Sequence, residues 1–486
     1  MRKIRFLMLA LFLFSGGCAS AHKPDLKDQI RHAELESFKE NERILILAPH
    51  PDDESIACAG IIQKALKAGA QVRIVYLTNG DHNEFAFIVY EKRIVMRQGE
   101  FIYMGKLRQK ESIKAMKFLG LSEKDLVFLG YPDYGTFEIF CKYWQTNKPF
   151  RDRLTRISSV PYKDNLSYGA AYVGENILAD LTKQIMDYQP DKIFVSHPAD
   201  VNVDHKSLYL FLQVALSDLE ARMARPEIYP YFVHCAGWPK PRHYHPELEL
   251  YPPDKFNGSP INWLRSDLSA EELVKKYRAI LFYKSQTQTS AFYLFSFARK
   301  NELFSDYPEL KLDFQSTSEG REIIYSDASE MFREEEALKE EELLDSKQIV
   351  PPGDKGSVGY AVEGNYFIVR LGKTKKFSSR FGVMLYIFGY SKNTPFAQMP
   401  KIRIIIMGRK CQVFSSKNRV INSGVLLNFD KKSLIFKIPL KLLGQPDYTL
   451  MALKAYRGNL PIDAVVFRKV RITQDPLLTK DSAKER

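Results

Sequence analysis

Two distant clusters of ionisable residues carry the residue types needed for metal-assisted proton transfer. The first is His50-Pro51-Asp52-Asp53-Glu54 and the second is His197-Pro198-Ala199-Asp200-Val201-Asn202-Val203-Asp204-His205. Imidazole and carboxylate are good ligands for a divalent cation such as zinc. Two adjacent acids beside a histidine permit a division of labour, in which one holds the cation and the other takes a proton from water. Three protein ligands with one position left for water is the arrangement of catalytic zinc. Asp204 is a candidate to orient a ligating imidazole through its second ring nitrogen. Taken alone, the first cluster is also what an acidic helix start looks like, because carboxylates are favoured at the positive end of the helix dipole. The chemistry therefore requires that both clusters meet.

The elements around them predict that meeting. Arg43–Ala48 is a continuous apolar run of the buried parallel-strand type, and the first cluster follows it directly. Ser55–Gly69 has helical spacing, Gln71–Thr78 reads as a strand, Gly105–Leu119 as a helix and Asp125–Gly130 as a strand. Glu175–Tyr188 is helical, and Lys192–Ser196 is a strand that ends at the second cluster. His205–Leu219 follows as a helix and Tyr229–His234 as a fifth strand. Strands alternating with helices predict an α/β fold, a Rossmann-like, mostly parallel sheet with helices on both faces. In such sheets ligands bind beyond the carboxyl ends of the strands, where both clusters fall. Residues 265–305 read as helical.

With these placements the sequence resembles the PIG-L/LmbE-like N-deacetylases over about 43–300. Ala48-Pro49-His50-Pro51-Asp52-Asp53-Glu54 looks like the family signature. The second cluster is similar to its later Asp-x-His/Asn-x-Asp-His element. Thr78-Asn79-Gly80-Asp81, Arg108 with Glu111, Leu129-Gly130-Tyr131-Pro132-Asp133, Trp238-Pro239 and Tyr283-Lys284-Ser285-Gln286 fit its other segments in order. The resemblance implies that His50, Asp53 and His205 bind Zn2+ and that Asp52 is the general base and the later acid. It implies that Arg108 and Asp133 contact an N-acetylated sugar or glycan, with acetate and a free amine as products. Asn202 departs from the best-known members, which carry a histidine that assists the oxyanion; an amide N–H can still donate there. Asn202 and Asp204 complete the catalytic set, and His197 is the alternative donor toward substrate, set against a structural role. His234, before Trp238-Pro239, reads as a core or capping histidine, with a place in the pocket lining as the alternative. Phe85, Phe87, Tyr90, Tyr134 and Phe137 flank the expected crevice. Two rivals remain: the same site acting on a non-sugar amide, and a catalytically weak glycan-binding lipoprotein of the envelope. The intact His50, Asp52, Asp53 and His205 argue against the second.

Composition sets the context. The 486 residues are 45% hydrophobic and 27% charged, which excludes wholesale disorder, and five cysteines exclude a disulfide-built scaffold. Arg2, Lys3 and Arg5 precede an apolar run to Phe14, then Ser15-Gly16-Gly17-Cys18. That layout predicts an export signal at 1–17, with Cys18 lipidated as in bacterial lipoproteins, hence a membrane-anchored protein of the cell envelope. Residues 18–42 read as a tether, 43–315 as the deacetylase-like domain and 316–350 as an acidic linker or helix. Seven β-rich runs between Tyr366 and Ile472 predict an all-β sandwich-like domain at 351–476, with a tail at 477–486. The net charge of +13 is uneven: residues 351–486 carry 25 Lys and Arg against 8 Asp and Glu. This basic domain is expected to meet an anionic envelope surface or glycan. Export makes nucleic acid an unexpected partner, and neither a Walker loop nor a dinucleotide fingerprint is present.

Overall fold

The computed structural model describes residues 33–82 and 97–312 apart from 146, 236 and 257–260, three short strands between 315 and 332, and 357–472 apart from 373–380, 409, 431–432 and 458–459. The export signal, Cys18, most of the tether, Phe85, Phe87, Tyr90, Glu334–Glu342 and the tail lie outside the described residues.

The first part is a mixed sheet flanked by helices. Its strands are β1 (Arg43–Ala48), β2 (Gln71–Thr78), β3 (Leu126–Tyr131), β4 (Lys192–Ser196), β5 (Glu227–Tyr231), β6 (Trp263–Asp267) and β7 (Asn301–Ser305), beside a two-residue edge strand, Ala33–Glu34, that pairs in parallel with β6. They lie in the order β6-β7-β5-β4-β1-β2-β3, with β1 to β5 parallel and β7 antiparallel to both neighbours. The strand order reverses between β1 and β4, so a crevice opens at their carboxyl ends. The helices are α1 (Asp53–Lys67), α2 (Gln98–Leu119), α3 (Thr136–Lys142), α4 (Gly174–Tyr188), α5 (Val203–Asp218), α6 (Ala270–Ile280) and α7 (Lys284–Leu294). β1 explains why its sequence is apolar throughout. Ile44, Ile46 and Ala48 enter the core under α1, while Leu45 and Leu47 enter the core under α4 and α5. A strand covered on both faces has no position for a polar residue.

Two local readings are corrected. α2 begins at Gln98, ahead of the expected Gly105. Gly105 sits inside the helix because a Cβ there would lie 2.3 Å from the Tyr162 hydroxyl; the glycine permits close packing and does not mark a start. The stretch 265–305 is helical only in α6 and α7, because its two ends form the antiparallel pair β6–β7.

The second part is all β. β8 (Ser357–Glu363), β9 (Tyr366–Gly372), β13 (Leu426–Phe429) and β14 (Ser433–Pro439) form one sheet in the order β8-β9-β14-β13. β10 (Phe381–Tyr390), β11 (Lys401–Met407), β12 (Lys410–Ser415), β15 (Tyr448–Arg457) and β16 (Leu460–Ile472) form the other, in the order β16-β15-β10-β11-β12. The two sheets share a core that includes Phe367, Val369, Leu385, Ile387, Ile404 and Leu453. The intervening residues of β10 and β15 point the other way. Phe388, Tyr390, Leu450 and Ala452 pack with Phe140, Trp144 and Phe211 of the first part. The sheet is therefore buried on both faces, and one apolar cluster runs across both parts of the chain. No described helix is long and apolar enough to cross a membrane.

Candidate metal centre

β1 and β4 deliver both ionisable clusters to the same edge. His50 lies in the turn after β1, and α1 begins at Asp53, so Asp53 and Glu54 occupy its first turn. Asn202 caps α5, its side-chain oxygen accepting the Asp204 N–H at 2.8 Å. That bond uses the amide oxygen and leaves the NH2 as the end able to donate. His205 follows on the first turn of α5.

The donor atoms of His50, Asp53, His205 and His234 all lie within 4.8 Å of one another, as do those of His50, Asp133 and Asp204. Asp53 Oδ2 is the shared oxygen. It stands 3.3 Å from His50 Nδ1 and 3.2 Å from His205 Nε2, and accepts the His50 backbone N–H at 2.9 Å. His50 Nε2 faces Asp133 Oδ1 at 3.0 Å and Asp204 Oδ2 at 3.3 Å. His205 is fully buried, and neither ring nitrogen makes a hydrogen bond of good geometry although both face carboxylates. Buried nitrogens that converge with carboxylate oxygens without bonding them fit a cation held between them. The donor set of imidazole and carboxylate suits zinc.

The electrostatics agree. Burial opposes a charge on His50, but Asp133, Asp204 and Asp53 outweigh it and raise its pKa well above the usual imidazole range. Burial likewise opposes a charge on His205, and Asp200 and Asp53 overcome it to lift the pKa to about 9. Asp53 is held well below the carboxylate range, His205 and His50 outweighing its burial. His234 is pushed down to about 4 by burial. The carboxylates thus favour positive charge at the centre.

Asp52 lies beside this group with a φ of 132°, a backbone conformation that costs a non-glycine residue energy and concentrates at functional sites. Its backbone carbonyl accepts the Ser55 and Ile56 N–H groups at 3.0 and 2.9 Å. Its N–H donates to Glu54 Oε2 at 3.0 Å, and Arg108 Nη2 donates to its Oδ2 at 3.1 Å. Burial raises the Asp52 pKa to about 7 despite Arg108, with Asp53 and Glu54 adding to the rise.

Several expected placements change. Arg108 is buried and donates to Gly80 O (2.9 Å), Pro51 O (2.9 Å) and Asp52, so Asp52 is its charged partner. Asp133 accepts the His82 N–H at 3.0 Å and faces His50 Nε2 at 3.0 Å. Asp204 lies against a ligating imidazole, its Oδ2 3.3 Å from His50 Nε2, and it accepts from the Tyr134 N–H (2.6 Å) and the Thr136 hydroxyl. Asp200 stands in the same relation to His205, its Oδ2 3.1 Å from His205 Nδ1. His197 is not brought to the cluster. It is fully buried, accepts the Ala199 N–H at Nδ1 (2.9 Å) and stacks on Phe232 with ring centres 4.3 Å apart.

Three residues were missed as site residues. His234 joins the donor group from the loop after β5, and its signal was its position beyond a strand neighbouring β4. Asp200 lacked a distinguishing signal among the acids of its cluster. Glu54 accepts from Asp52 N, from Ser112 Oγ at 2.9 Å and from the Tyr283 hydroxyl, tying the first cluster to α2 and to the Tyr283-Lys284-Ser285-Gln286 segment.

Residues 45–216 match the PIG-L: GlcNAc-PI de-N-acetylase family. No curated protein matches the chain. Among solved structures, the chain is similar to N,N'-diacetylchitobiose deacetylase from Pyrococcus horikoshii, with 18% identity over 50% of this chain and 70% of that one and a TM-score of 0.30. It is similar to the A40926 pseudoaglycone deacetylase Dbv21, with 15% identity over 55% and 97% and a TM-score of 0.34. It is also similar to a 4-carboxy-2-hydroxymuconate hydratase of Pseudomonas putida, with 16% identity over 56% and 100% and a TM-score of 0.34. Residues 45–216 thus form a PIG-L (GlcNAc-PI de-N-acetylase) family domain.

Proposed function

We propose that this protein is a zinc-dependent N-deacetylase that hydrolyses the N-acetyl amide of a sugar, glycolipid or envelope glycan. The observation that carries the reading is the convergence of the His50, Asp53 and His205 donor atoms within 4.8 Å, with Asp52 beside them. These three residues would hold the metal. When bound, zinc acts as a Lewis acid on the amide carbonyl and makes water acidic enough to supply hydroxide near neutral pH.

The chain's own residues do the rest. Asp52 takes the proton from the attacking water; a carboxylate raised to about 7 is matched to that exchange near neutral pH. Arg108 fixes the carboxylate from behind at Oδ2. Asp52 then returns the proton to the departing nitrogen, because an amine anion is a poor leaving group. In this reading the Asn202 NH2, at the start of α5, donates to the oxyanion. Tyr134, exposed at the crevice and stacked on His82 at 6.1 Å, offers an apolar face to a sugar ring.

The export signal and Cys18 place the enzyme, in this reading, on the envelope as a lipoprotein, with the basic 351–486 segment toward anionic surface. The direct test is acetate release from a panel of N-acetylglucosamine derivatives and non-sugar acetamides, using zinc-loaded protein with and without chelator. Chelator-sensitive release from sugars supports the proposal. Release from non-sugar amides alone moves the assignment to the rival amidase, and absence of release across the panel removes it. For location, Cys18→Ala is expected to shift the protein from the membrane to the soluble fraction, and retention on the membrane would refute lipid anchoring there.

A further inference from the structure

We propose that His234 is a fourth protein ligand of the metal, completing a set of three histidines and one aspartate. The inference rests on the reading of His50, Asp53 and His205 as metal ligands and extends it to a residue from a separate segment. Its donor atom lies within 4.8 Å of theirs. The surroundings hold the imidazole in that place from two sides. The His234 backbone N–H donates to Asp200 Oδ2 at 2.8 Å, and the same oxygen stands 3.1 Å from His205 Nδ1. One carboxylate oxygen therefore fixes the chain carrying one imidazole and faces the ring of the other. The His205 and His234 rings meet edge to face, with centres 4.8 Å apart. On its other side the His234 ring stacks on Tyr293 at 6.0 Å, and the Tyr293 hydroxyl donates to Val233 O.

Accessibility assigns the four groups different positions. His50, Asp53 and His205 are buried, whereas His234 is half-buried. The first three form the floor and His234 forms the side that reaches solvent, next to where an amide must enter. With His234 bound, four protein donors would fill a tetrahedral shell, so a water would have to join as a fifth group, an expansion known for catalytic zinc.

The test compares full-length protein with His234→Ala, His234→Asn, His205→Ala and the surface control His245→Ala. Two measurements are made: zinc affinity by chelator competition, and the visible spectrum of the cobalt-substituted protein, which reports coordination. Both His234 variants are expected to bind zinc at least about tenfold more weakly, the scale of loss found even for groups that only support a ligand. Their cobalt bands are expected to move, while His245→Ala changes neither quantity. Native affinity and unmoved bands in both His234 variants, with zinc lost in His205→Ala, would overturn the fourth ligand alone. Native zinc affinity in His205→Ala would overturn the underlying metal-site reading. The paired variants keep a folding defect in one from standing as support, since both must show the moved bands.

Discussion

Arg108 Nη2 donates to Asp52 Oδ2 at 3.1 Å, and both residues are buried. The pair joins α2 to the turn after β1, and the same nitrogen also donates to Pro51 O. The guanidinium therefore sets the position of the carboxylate and of the backbone that carries it. Asp52→Asn preserves an acceptor for Arg108 and removes the proton acceptor. Zinc content is expected to stay native and turnover to fall by about 10²–10⁴-fold, the range for a lost general base. Full turnover would exclude Asp52 from that role.

Gly80 tests the Arg108 placement without touching an ionisable group. Its φ is +64°, and a Cβ would lie 2.1 Å from Arg108 Nη1. Gly80→Ala must displace the guanidinium as well as adopt a disfavoured backbone conformation. Expected are a loss of stability above about 1 kcal/mol and a fall in kcat with zinc content unchanged. A variant with native kcat would show that Arg108 does not set Asp52.

Asp200→Asn addresses the partner of His205. The carboxylate faces His205 Nδ1 and accepts the backbone N–H groups of Val233 and His234 at 3.2 and 2.8 Å. Supporting groups of this kind change metal affinity by about 10–100-fold. Zinc affinity measured by chelator competition is expected to fall by that amount, and native affinity would return the orienting role to another residue.

Lys401 gives a pH signature at the contact between the two parts of the chain. It is buried, its Nζ donating to Phe396 O (2.5 Å) and Met399 O (2.7 Å) over the Phe396 and Trp144 rings. Burial lowers its pKa to about 7, Glu175 opposing weakly. Between that value and the ordinary lysine value the unfolded chain binds more protons, so stability is expected to rise with pH across this window. The slope is at most about 1.4 kcal/mol per pH unit for one proton. It should flatten in Lys401→Met, as read by thermal unfolding at pH 7 and 9; an unchanged slope would assign it elsewhere.

Phe140 of α3 packs against Phe211, Phe388 and Phe396 with ring centres 4.9, 5.3 and 5.6 Å away. α3 follows directly on Asp133 and Tyr134. Phe388→Ala is expected to cost about 3–5 kcal/mol and to lower the unfolding of both parts together in calorimetry. A shift confined to one of two separate transitions would show that the parts are independent. Deleting 351–486 would therefore expose α3 and α5, so it is a poor test of envelope binding.

Where the chemistry sits is legible in the order of the amino acids. Apolar runs such as Arg43–Ala48 can only be strands covered on both faces, and His50 and His205 follow two of them, so the parallel order carries both clusters to one edge. The separate roles of Asp52 and Asp53 come from the family resemblance; the helical spacing begins only at Ser55, and the structure starts the helix at Asp53. Tertiary structure alone decided the partners. Asp204 and His205 are adjacent on α5, and successive helix positions point about 100° apart, so Asp204 turns to His50 and Thr136 while Asp200, ahead of the cap, folds back onto His205. Arg108 was legible as a site residue, but its use on Asp52 depends on how α2 crosses the first turn. His234 carried no local pattern because its place follows from β5 lying beside β4. The fate of Phe388 and Lys401 depended on which face of a sheet met α3. Periodicity fixes which residues share a face, and the physical contact that gives each face its partner exists only once distant segments pack.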